Sequence, residues 1–121
     1  MVQHISTAEI DLSIASGDTQ SAWVAVRGNA RLTKLMALEC PAGGPVTTLS
    51  VHTRPLDGSG NGLPVIAADT MGENFALNIT ADGGIFPADA LAPLAAQVDR
   101  EWRLTLGSAA GVDLAIKLRL A

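Results

Sequence analysis

The chain has 121 residues, a net charge of −4 and one cysteine. That length suits a single domain whose core needs no disulfide, and Cys40 alone cannot form an intramolecular one. The eight basic residues are scattered instead of forming a stripe, which argues against a nucleic-acid partner.

No apolar run approaches the roughly 18–20 residues of a membrane span. The opening MVQHISTAEIDLS lacks the basic start and continuous apolar stretch of a secretory signal. The expectation is a chain made in the cytoplasm, with no membrane partner. Hydrophobic residues make up 48% of the chain before its 12 glycines are added, and charged residues only 17%. Usual shares are about 45–50% with glycine included and about 25%. Alanine supplies part of the excess. The rest predicts surface buried against partners, in an oligomer or a larger assembly.

Alternation of apolar and polar residues, the mark of a half-buried strand, recurs along the chain. Residues 1–7 read as a flexible N-terminal arm, and 8–121 as a single β domain. Ala8, Ile10, Leu12 and Ile14 alternate with Glu9, Asp11 and Ser13, and a Ser-Gly-Asp turn leads to a second strand over 21–27. Residues 31–39 also satisfy helical spacing, but Pro41 and Gly43-Gly44 after them favour a strand. Further strands are predicted over 46–53, 63–68 and 75–79, the last ended by Asp82-Gly83-Gly84. Residues 87–97, PADALAPLAAQ, read as a short helical bridge interrupted by Pro93.

In REWRLTL, residues 100–106, Trp102, Leu104 and Leu106 share one face. In 111–120, Val112, Leu114, Ile116, Leu118 and Leu120 share another. About eight short strands with Gly-rich turns predict an all-β fold, an antiparallel β-sandwich or jelly-roll-like domain.

Few segments invite chemistry. DGSGNG, residues 57–62, spaces Asp57, Ser59 and Asn61 like the start of a calcium loop. Position 12 of such a loop would be Ala68 where a bidentate Glu is needed, so a Gly-rich hairpin loop is expected. His4 and His52 have no metal-ligand spacing around them, and a solvated imidazole is expected of each. Glu9 and Asp11 read as outward acids on one strand, and Cys40 as a buried free thiol. No G-x-S-x-G elbow and no phosphate loop occurs. These readings predict a non-enzymatic protein with no cofactor and no metal.

Trp23 is the one aromatic that alternation turns outward, on the side of Ala25 and Arg27. It is either an interface anchor beside Arg27 or a ring covered by the protein's own loops. With Val2 and Ile5 of the arm, Trp23 and Arg27 form the candidate interface.

From Ala8 to Leu120 the order of segments resembles small structural proteins encoded in the head and tail gene blocks of tailed bacteriophages of proteobacteria. EIDLSIASGDTQS, LMALECPAG at 35–43, TTLSV at 47–51, the Asp57-Gly58 hairpin, PADALAPLAA and Arg103 to Gly107 carry the likeness. Gly43-Gly44 replaces the aromatic that usually follows Pro-Ala, and GSAAG shortens the polar stretch before the last strand. The resemblance implies a virion protein, foremost a capsid decoration (cement) protein. It would sit on the capsid surface as a homotrimer and bind the major capsid protein or other virion proteins. A tail, head-tail joining or fibre-base protein is the nearest alternative, and a carbohydrate-binding module a more distant one.

Overall fold

A computed structural model describes residues 8–28, 34–67 and 72–121. The arm residues Val2, His4 and Ile5 lie outside the described residues. In chain order the elements are β1 (Ala8–Asp11), β2 (Val24–Val26), β3 (Leu35–Cys40), β4 (Thr47–Arg54), β5 (Leu63–Pro64), β6 (Ala76–Ile79) and β7 (Gly84–Pro87). A 3-10 helix (Ala88–Gln97), β8 (Arg100–Leu106) and β9 (Lys117–Leu120) complete the chain.

The strands build two antiparallel sheets. One runs β1-β9-β3-β7; the other runs β2-β8-β4, with β5 and β6 sharing the position beyond β4. β6 pairs with the first half of β4 and β5 with its last residues. Apart from the step β4-β5-β6, each strand lies in the opposite sheet from the one before it. That alternation is the order of a jelly roll, and the all-β sandwich predicted from the sequence is what the chain forms.

Period-two patterning explains why the sheets stack. Leu49 and Val51 of β4, Trp102 and Leu104 of β8, Leu38 of β3, and Leu118 and Leu120 of β9 all point inward and are almost fully buried. They join one core cluster. The 3-10 helix closes one side of it with Leu91 and Leu94, both wholly buried, and carries Pro93 inside as expected. Asp99 then reverses the chain at φ 67, a left-handed conformation that Asp tolerates, while its carboxylate accepts the N–H of Gly28 at 2.9 Å.

Several boundaries differ from the sequence reading. Of the segment predicted over 31–39, residues 31–33 lie outside the described residues and the strand runs over Leu35–Cys40. Residues 84–87, of which Gly84 was read as turn and Pro87 as bridge with Ile85 and Phe86 unassigned, form a ninth strand, β7, pairing with β3 so that Phe86 faces the core and Ile85 faces out. The two glycines before Ile85 masked an alternation only four residues long. The last predicted strand is shorter than 111–120: only 117–120 is regular. Leu114 makes an isolated bridge to Ile14, and Val112 is exposed where the core was expected. Burial of Leu114 and Ile116 is nonetheless complete, so the inward set is correct from Leu114 onward.

The outer face of the first sheet is a ladder of alternating charge. Lys117 Nζ lies 2.7 Å from Glu9 Oε1 and 3.7 Å from Asp11 Oδ1; Arg119 lies 3.4 Å from both Glu9 and Glu39. Glu9 and Asp11 are therefore members of cross-strand ion pairs, which organise the surface without offering an open carboxylate pair.

Candidate functional site

Trp23 precedes β2, whose Val26 is fully buried, so the ring lies on the outer side of the second sheet. It is half-buried there. The guanidinium carbons of Arg54 and Arg103 stand 4.4 and 4.8 Å from the ring centroid, close enough for cation–π attraction. Both arginines are fixed by other bonds. Arg54 Nε pairs with Glu101 directly across the sheet at 2.8 Å, and its Nη1 donates to the carbonyl of Gly60 at 3.3 Å. Arg103 Nε donates to the carbonyl of Ser21 at 3.1 Å.

The DGSGNG segment is the loop that closes over this cluster. Gly58, Gly60 and Gly62 all have positive φ, and a side chain on Gly62 would collide with the Trp23 ring. Asp57 accepts the Ser59 N–H at 2.9 Å, and hydrogen bonding to the Ser59 side chain first, then to that N–H, holds its carboxyl below the ordinary aspartate value. Among the described residues no group of three or more His, Cys, Asp or Glu is placed to hold a metal.

The 57–62 loop packs against the Trp23 ring, which stays partly exposed. The guanidiniums over the ring belong to Arg54 and Arg103. Arg27, exposed just past β2, is not among them. Val2 and Ile5 lie outside the described residues. His52, expected as a solvated imidazole, sits opposite Arg103 in the register with Nδ1 buried and without a partner among the described residues, and the same holds for Thr105 Oγ1 on β8. Cys40 is a buried free thiol, and burial raises its pKa.

A second cluster occupies the lateral edge of the sandwich, where β5 meets the 3-10 helix. Thr53, 4% exposed, accepts the Nε–H of Arg100 at 3.1 Å and donates to Gln97 Oε1 at 2.9 Å; the Gln97 carbonyl accepts the Trp102 indole N–H at 2.7 Å. Arg100 is thus oriented by a bonded chain reaching into the core. Two shallow grooves, of about 290 and 420 Å³, share Thr53, Leu63 and Arg100, so Leu63 stands as a ridge between them. A third, of about 570 Å³, adjoins the larger of them at Pro93 and carries Glu73 and Asp89.

Sequence reasoning passed over this edge, although a signal was present. Arg100 shares the inward parity of Trp102 and Leu104, and Thr53 that of Leu49 and Val51. Polar residues on a core-facing period mark a bonded network at the rim of a core.

Comparison with protein-family profiles, with curated proteins and with solved structures finds no match to this chain.

Proposed function

We propose that this chain is a non-enzymatic structural protein that works by binding, and specifically a capsid decoration protein of a tailed phage. The observation that carries the binding reading is the exposure of large apolar side chains on a sandwich whose core is already full. Val46 is 77% exposed, Leu63 74% and Ile85 68%. Such side chains gain most when a partner covers them, at roughly 25 cal/mol per Å² of apolar area.

The virion assignment is supported by the order of sequence segments set out above. The jelly roll adds a fold-level analogy: it is common in viral capsid and lectin domains, and by itself chooses neither. Against the lectin-like alternative stands Trp23, whose ring is occupied by two guanidiniums and by the backbone at Gly62 and is no open platform for a sugar. A tail or head-tail joining role would use the same apolar surface on a different ring of subunits.

A decoration protein acts mechanically. It covers a junction of major capsid subunits and adds many weak, symmetric contacts that resist internal pressure. The test is co-sedimentation of the purified chain with undecorated heads from the same genome, followed by heating. Binding with raised heat resistance of the heads is the expected result. A chain that stays in the supernatant at all ratios overturns the capsid assignment.

A further inference from the structure

We infer that the lateral edge built by β5, the 3-10 helix and Arg100 is a self-association surface, and that its occupant is a second copy of this chain. The inference locates on the chain the self-association that the capsid proposal carries; its test uses the purified chain without heads, so it can fail while the capsid assignment holds.

The apolar part comes first. Leu63 is 74% exposed and Ile66 44%, only three residues apart on one edge, with Pro64 between them and Pro93 of the helix lining the same groove. Exposed edge strands usually invite pairing with another strand. Here Pro64 lacks the N–H that an added strand would need, so the edge is closed to strand addition and open to side-chain packing.

Charge then selects the partner. Arg100 lies on one side of Pro93, and Glu73 and Asp89 on the other. Among the described residues none of the three takes part in an ion pair, so all three charges are open to a partner. A patch with a cation at one end, acids at the other and an apolar ridge beside the cation is complementary to itself. A two-fold axis near Pro93 would bring Arg100 of each copy towards Glu73 and Asp89 of the other, the reciprocal pairing that isologous contacts require. A three-fold ring is the head-to-tail version of the same match.

Arg100 is suited to the role. Its Nε is fixed by buried Thr53, so little side-chain freedom remains to be lost when the guanidinium meets a carboxylate. An oriented Arg flanked by apolar residues is the usual composition of an interface hot spot.

The experiment is light scattering coupled to size exclusion, run from micromolar to about 200 μM protein, above the range of typical weak dimers. The wild type is expected to reach a mass that is a multiple of 12.4 kDa. Leu63→Glu alters an exposed side chain and leaves the core intact; it is expected to weaken association by about tenfold or more. Glu73→Arg, also exposed, should weaken it as well. Combining Arg100→Glu with Glu73→Arg and Asp89→Arg should restore it, since the charges then match again in reverse. Thermal melts of each variant confirm folding. A wild type that stays monomeric at the highest concentration overturns the proposal, as does an oligomer indifferent to both Leu63→Glu and Glu73→Arg.

Discussion

The ring of Trp23 occupies the space into which a side chain on Gly62 would project. A β-carbon there would collide with Cη2 of the indole and stand 3.1 Å from the carbonyl of Thr53. Gly60, two residues earlier, has nearly the same φ but nothing within 4 Å of the corresponding point. The pair separates two effects. Gly60→Ala should cost about 1–2 kcal/mol, the expense of a left-handed L-residue alone. Gly62→Ala should cost that and about 1–3 kcal/mol more for overpacking against Trp23. Urea unfolding of both variants checks this, and equal losses would mean that the loop does not rest on the ring.

Trp23 in turn should hold the loop. Trp23→Ala removes two cation–π contacts, each worth about 0.5–1 kcal/mol at a partly exposed site, together with the apolar cover beneath residues 57–62. A total loss of about 2–3 kcal/mol is expected. Limited proteolysis should cut within the loop faster in the variant. Trp23→Phe, which keeps a weaker ring, should fall between.

The inward faces of the longer strands were legible because period-two patterning survives in single strands of ordinary length. The inward sets of β4, β8 and β9 follow directly from alternation over 46–53, 100–106 and 114–120. β7 was not legible, because four residues that begin on the second of two glycines give no period to count. Trp23 shows a different limit. Alternation correctly turned it out of the core, yet no local rule says that Arg54, 31 positions later, and Arg103, 80 positions later, converge on its ring. Such contacts are set by sheet order, β2 beside β8 beside β4, which short-range patterns do not encode.

The charge ladder of the first sheet gives stability a pH dependence at both ends. Glu9 is held below the ordinary glutamate value, first by its hydrogen bond to Lys117 and then by the Lys117 and Arg119 charges. A depressed carboxylate stabilises the fold above its unfolded pKa, and that contribution is lost as pH falls through the folded one. Lys117 is raised above the ordinary lysine value by Glu9 and then Asp11. Its contribution is complete below the unfolded lysine pKa and is lost as pH rises through the folded value. Glu9→Gln should therefore be less stable than wild type at neutral pH and converge with it in acid. Melting curves against pH test this, and added salt should shrink the difference because the pairs are exposed.

Thr53 ties the lateral edge to the core. Thr53→Val keeps the shape and the β-branch but takes the acceptor from Arg100 Nε and the donor from Gln97 Oε1. A loss of about 1–2 kcal/mol is expected, the cost of leaving part-buried polar groups without partners. The same variant should weaken self-association, because Arg100 is no longer oriented. A variant that lowers the melting temperature but associates like wild type would confine Thr53 to a folding role.

Thr105 presents the opposite case. Its hydroxyl is buried on the outer side of β8 with no hydrogen-bond partner among the described residues, as is Nδ1 of His52 on the adjacent β4. Burying a hydroxyl without a bond costs free energy, and deleting it at constant shape removes that cost. Thr105→Val should therefore raise stability by about 1 kcal/mol, and valine also favours the pleated backbone. Chemical denaturation measures the change. A clear loss would mean that the hydroxyl does find a partner, and would identify this face as a place where a bonded group is missing from the isolated chain.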